Sequence, residues 1–179
     1  MTRMKTSLLI GLGLGAACAL ASPLVAQALR GHNTNAPVDV EADRIEVQDR
    51  ADRAIFAGNV RVQQGDLTLE AARLTVAYDR AAGDGVQIQR LDATGGVLVR
   101  SPSETARGQF AVYDLNRRQI TMVGGVTLNQ GPNTVRGGRM VIDLDTGRAV
   151  VDGSAVGGGT GSSGGRVTGR FSVPQRKQP

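Results

Sequence analysis

The chain repeats itself. Ala54, Phe56, Gly58, Val60 and Val62 alternate with other residues at a period of two, the mark of a strand with one buried face. Ile120, Met122, Gly124, Val126 and Leu128 match them position for position, and Leu91, Ala93, Gly95, Val97 and Val99 do so again. Ala149, Val151 and Gly153 start a fourth copy that breaks off. A second strand follows each first one after turn chemistry such as Gln64-Gly65-Asp66. These second strands are expected to end at Asp49, Asp79, Asp114 and Asp143, which lie 30, 35 and 29 residues apart. Two strands in each period predict an all-β fold built by repetition. The longer middle spacing reflects an insertion between Arg80 and Gln89, in which Val86 and Ile88 suit a short extra strand.

A second regularity lies inside the repeat. Leu69 and Leu74 are an odd number of residues apart, so the buried parity flips between them. The same offset relates Val40 to Ile45 and Val135 to Met140. The flips fall on Ala42-Asp43-Arg44, Ala71-Ala72-Arg73 and Gly137-Gly138-Arg139, where small residues gather. A β-bulge or a corner between sheets needs such a switch. In the third copy Phe110 and Val112 fit one parity, whereas Ala111, Tyr113 and Leu115 fit the other.

The ends read differently from the middle. Arg3 and Lys5 precede an apolar run, Leu8 to Leu20, and Ala26-Gln27-Ala28 is an A-x-A site. Residues 1–28 thus read as a secretory signal peptide cut between Ala28 and Leu29. Cleavage removes Cys18, the only cysteine. Residues 29–36 are a polar lead-in, residues 37–153 the β domain, residues 154–165 a Gly/Ser-rich linker. Residues 166–179 are a basic tail in which Val167, Gly169, Phe171 and Val173 alternate once more. That alternation fits a last strand on a sheet edge and fits a frayed tail equally.

Charge and inventory exclude several classes. The formal charge of +5 comes from the two ends, Arg3 and Lys5 on one side and Arg166, Arg170, Arg176 and Lys177 on the other. The domain between them is near neutral and holds few aromatics, which argues against a nucleic-acid surface. One histidine, His32, sits in the lead-in and is expected to be a solvated loop residue. Without a second His or a Cys no transition-metal site is expected, and no cofactor is called for. No G-x-S-x-G elbow or phosphate loop occurs. Paired carboxylates such as Asp143 with Asp145 read as turn chemistry. No catalytic residue is predicted, and the chain reads as a non-enzyme.

What remains is the shared apolar face. Its candidate residues are Val38, Val40, Ile45, Phe56, Val60, Val62, Leu69, Leu74, Val76, Val97, Val99, Ile120, Met122, Val126, Met140 and Ile142. If the strands fold over one another, these line an elongated interior. It is either a closed, dry core or a groove that accepts acyl chains.

The stretch from Pro37 to Asp79 carries A-D-R-I-E-V, then F-A-G-N-V-R-V, then G-D-L-T-L-E-A, then Y-D. It resembles the OstA-like domain of the lipopolysaccharide-transport machinery. The later G-G-V, A-R-G and Y-D, and the G-G-V with R-G-G-R-M, extend the resemblance to about Gly153. The signal peptide and the length are similar to the periplasmic bridge members of that family. The resemblance implies an open, twisted β-jelly roll with a groove for the lipid A acyl chains of lipopolysaccharide. It implies head-to-tail homo-oligomers, and as partners an LptC-like inner-membrane protein and an LptD-like outer-membrane protein. Val38 and Val40 would lie at the groove's entrance. Two alternatives stay open: a membrane-anchored LptC-like component, and an exported structural β-repeat protein without lipid cargo.

Overall fold

The computed structural model describes residues 32–81, 85–153 and 165–173. The signal segment with its Ala28–Leu29 cleavage site and nearly all of the Gly/Ser-rich linker lie outside these residues. Ten strands make one antiparallel sheet. They are β1 Val38–Glu41, β2 Arg44–Gln48, β3 Arg53–Gln64, β4 Leu67–Ala81, β5 Gly85–Arg100, β6 Glu104–Asp114, β7 Gln119–Gln130, β8 Asn133–Asp143, β9 Arg148–Asp152 and β10 Thr168–Arg170. The long strands β3 to β8 pair in chain order. Each outer edge is split between two short strands. β1 and β2 both pair with β3, and β9 and β10 both pair with β8. The two edges do not pair with each other, so the sheet is open: the repeat predicted an all-β fold, and the resemblance implied the open jelly roll.

Every long pair carries a register shift at the same level, and these line up across the sheet; the β4–β5 pair has a second one, between Ala77 and Tyr78. The aligned shifts fall between Ala57 and Val60, Glu70 and Arg73, Thr94 and Val97, Arg107 and Phe110, and Val123 and Val126. Where β3 spends Gly58 and Asn59, β4 spends Ala72 alone. Gly95-Gly96 face Gln109 in the same way, and Gly124-Gly125 face Gly138. The extra residue therefore sits in the first strand of each repeat, not at the small residues of the second strand, although the parity flip is read there. The reason is backbone conformation. All six of these residues have positive φ, from 45° at Asn59 to 89° at Gly124, which glycine adopts without a Cβ penalty. At Gly95 space decides as well, since a Cβ there would come within 2.6 Å of the Ala72 Cβ.

This column of bulges bends the whole sheet. Residues 38–41, 60–71, 97–108, 126–137 and 168–170 form one half, here the upper. Residues 44–57, 73–94, 110–123 and 139–152 form the lower half. The halves fold over one another, because Tyr113 of lower β6 donates a 2.9 Å hydrogen bond to Gln64 at the upper tip of β3, three strands away in the sheet. The core lies between the halves, and Leu74, Ile120, Met122 and Met140 are fully enclosed there. Each such side chain contributes about 1.5–3 kcal/mol by burial.

Two expectations are corrected by the strand lengths. Val86 and Ile88 form no separate strand; they extend β5, which pairs with β4 out to Ala81 and Gly85. Asp79 therefore lies inside β4 instead of closing it. Asp114 and Asp143 do close their strands, each accepting from a backbone N–H three residues on, Arg117 at 2.9 Å and Thr146 at 2.8 Å. The ambiguous third copy resolves with Ala111 and Tyr113 inward and Phe110 outward, half exposed.

Candidate functional site

Cross-strand partners in an antiparallel sheet share a face, so the pairing draws the interior as rows. One lower row runs Ile45, Phe56, Leu74, Ala93, Ala111, Met122, Met140, Val151. A second runs Val47, Ala54, Val76, Leu91, Tyr113, Ile120, Ile142, Ala149 along the same pairs. An upper row runs Val40, Val62, Leu69, Val99, Ala106, Leu128, Val135. Val60, Val97 and Val126 stand where the bulges bend the sheet, and Val38 lies beside Gln64 at the tip. All sixteen candidate residues thus fall on one face. The rows also contain Leu91, Ala93, Ala106, Ala111, Tyr113 and Leu128, which the candidate set omitted. Leu91, Ala93 and Leu128 were visible as members of the repeat; Ala106, Ala111 and Tyr113 sit in the copy with ambiguous parity.

Burial is uneven along the rows. Twelve of the sixteen candidates are buried; Val38, Val40 and Phe56 are partly buried. Ile45 is 55% exposed and its row neighbour Val47 is 63% exposed. Both lie on β2, the outermost lower strand at the amino-terminal edge. The interior is therefore shut over the middle of the sheet and open at β2. Farther in, the upper residues Val62, Gln64, Leu67 and Leu69 meet Leu91, Tyr113 and Ile120 around a void of about 10 Å³, barely the room one water needs.

The seam where the upper tips meet the lower half carries the polar groups. Gln64 and Glu104 are the buried polar or charged residues among those described. The Gln64 amide donates to the Thr34 and Ala36 carbonyls at 3.0 and 3.1 Å. That fixes its oxygen toward Tyr113 and toward His32 Nε2, 3.2 Å away. His32 is corrected here. Its side chain is 2% exposed, not solvated, and its Nδ1 lies 3.2 Å from Asp66. The polar lead-in thus folds across the tip of β3. Burial pushes the Tyr113 hydroxyl up from its ordinary value, so it stays a donor. Among the described residues no three His, Cys, Asp or Glu gather as a metal site would require.

Three comparisons bear on this interior. The family described as LptA/(LptD N-terminal domain) LPS transport protein matches residues 39–148. An uncharacterized protein of Rhizobium meliloti (strain 1021), R00383, is 32% identical over 151 residues, covering 78% of this chain and 81% of that protein. The LPS-assembly protein LptD of Yersinia enterocolitica is 32% identical over 109 residues, covering 60% of this chain. That match spans 14% of the LptD length. Among solved structures, LptH of Pseudomonas aeruginosa, described as the LptA homologous periplasmic component of the lipopolysaccharide transport device, superposes with a TM-score of 0.66. The match covers 77% of this chain and 96% of LptH at 19% identity, a likeness of fold.

Proposed function

The chain belongs to the LptA/(LptD N-terminal domain) lipopolysaccharide-transport family, and from that premise we propose that it is a periplasmic carrier for lipopolysaccharide. Acyl chains of lipid A lie along the inner rows while the sugars stay in solvent. The observation that carries this reading is the continuous apolar face, which crosses the sheet from β2 to β9 and surfaces at Ile45 and Val47. A buried core has no need of an exposed end.

The halves are packed together over the middle, so cargo must part them. They can part along the seam without breaking a ladder bond, because the two edges of the sheet are not paired to each other. Acyl chains then replace the contacts the halves lose. Each methylene taken from water contributes about 0.8 kcal/mol, and exchange of one apolar neighbour for another costs little. No step of chemistry is needed. The near-closed void favours a second reading, an exported structural β protein without cargo. Extraction of the purified protein decides between them. The carrier yields lipid A species in the organic phase by mass spectrometry; a protein that comes out of a lipopolysaccharide-producing cell free of lipid contradicts it.

Protomers of a bridge meet end to end through open edges, here β1 and β2 of one copy against the carboxy-terminal edge of the next. An LptC-like inner-membrane protein and an LptD-like outer-membrane protein would take the two ends. Val40→Pro removes a backbone donor from β1. It should lower the weight-average mass at high protein concentration in light scattering, while the wild type grows with concentration. A wild type that stays monomeric throughout overturns the end-to-end arrangement.

A further inference from the structure

The outer face of the sheet carries a cleft at its carboxy-terminal edge. β10 lies against upper β8 with Thr168 opposite Arg136 and Arg170 opposite Thr134. Positions two apart share a face, so both arginines and both threonines project together. They point away from the interior, because Val135 between them is in register with buried Leu128. With Gly169 they line a cleft of about 300 Å³. Ser172 N–H donates to Asn133 Oδ1 at 3.0 Å and anchors the far end of β10.

The charges around this cleft are one-sided. The same outer face continues through Thr127 to Arg107 on β6 and through Asn129 to Thr105. None of these positions is a carboxylate, and Glu104 faces inward, buried. Asp152, farther along the edge, is held by Arg139 at 3.3 Å. Arg136 and Arg170 have no carboxylate partner among the described residues. Two guanidinium groups brought onto one face repel unless an anion sits between them. Their planar forks match the paired oxygens of a phosphate better than they match a single spherical halide ion, and the Thr168 hydroxyl adds a donor. The Thr134 hydroxyl is committed to Asn129 Oδ1 at 2.9 Å.

We propose that the β8–β10 cleft binds a phosphate group, carried as a monoester on a lipid headgroup or present as the free ion, and that the bound anion clamps β10 onto the sheet edge. β10 has only three pairs and is exposed at all three residues. A ligand that touches both strands stabilises the paired state by mass action. The site lies on the face opposite the interior rows, so it stands whether or not those rows hold acyl chains.

Titration of the purified protein at constant ionic strength, with chloride exchanged for inorganic phosphate, tests the free ion. Sedimentation with phosphatidylcholine vesicles, with and without phosphatidic acid, tests the headgroup. Saturable binding in either arm is expected, weakened about tenfold or more by Arg136→Gln or Arg170→Gln, the scale of one charge-assisted hydrogen bond. Phosphate binding alone assigns the free ion; vesicle binding alone assigns the headgroup. Amide exchange at Thr168–Arg170 should slow in the presence of the bound ligand. Binding that both variants retain, or no preference for phosphate over chloride and none for phosphatidic acid, overturns the site. Binding without slower exchange at β10 overturns the clamp. Both arginines are surface residues, and a far-ultraviolet spectrum matching wild type shows that neither variant has unfolded.

Discussion

Leu74→Ala should lower the folding free energy by about 2–5 kcal/mol, the range for a buried leucine whose surroundings cannot fully collapse. Leu74 is 0% exposed and sits in the lower row between Phe56 and Ala93, beside the bend. Its neighbours are held by ladder bonds on both sides, so the sheet has little freedom to close over the gap. Val86→Ala, at a site 61% exposed on the far end of β5, should change stability by no more than about 0.5 kcal/mol. Urea unfolding of both variants checks the pair, through the midpoint at unchanged slope. A Leu74→Ala loss as small as that of Val86→Ala would mean that the two halves do not pack as described.

The same residues show how far the sequence reached. The inner face was legible because period-two alternation survives wherever both halves are packed. Leu69 and Leu74 report the parity flip since each is large and inward. The bulge itself was misplaced by one strand. Glycines at 58, 95 and 124 fit the alternation as small inward residues, and a positive φ leaves no mark on hydrophobic pattern. Asn59, with φ of 45°, shows that the position asks for a conformation that asparagine tolerates.

Other gaps have equally local causes. Phe110 and Ala111 compete for the same face, and hydrophobicity favours the wrong one. The inward site lies between Ala93 and Met122, and alanine is what occupies it. His32 reads as solvated because Arg30, Asn33, Thr34 and Asn35 surround it in sequence; its partners Gln64 and Asp66 lie more than thirty residues away. The exposure of Ile45 depends on what stands beyond β2, and alternation along one strand carries no information about that. The tail strand was undecided for a similar reason. Three paired residues give too short a pattern to tell an edge strand from a loose end.

The central claim is that the inner face is a path for lipid, and site-specific photo-crosslinking in cells that make lipopolysaccharide tests it most directly. The probe is placed at Phe56, Val60, Met122 and Val126 on the inner face, at Arg61 and Thr127 on the outer face of the same strands, and at Leu98 on the outer face of β5. Phe56 matters most, because it is half-buried next to the open β2 end and takes a bulky probe with little repacking. Each variant is first shown to melt as a folded protein, since Val60, Met122 and Val126 are at most 1% exposed. The account predicts lipopolysaccharide adducts from the inner positions and none from the outer ones. Equal capture from both faces, or no capture at Phe56 in a folded protein, would contradict it.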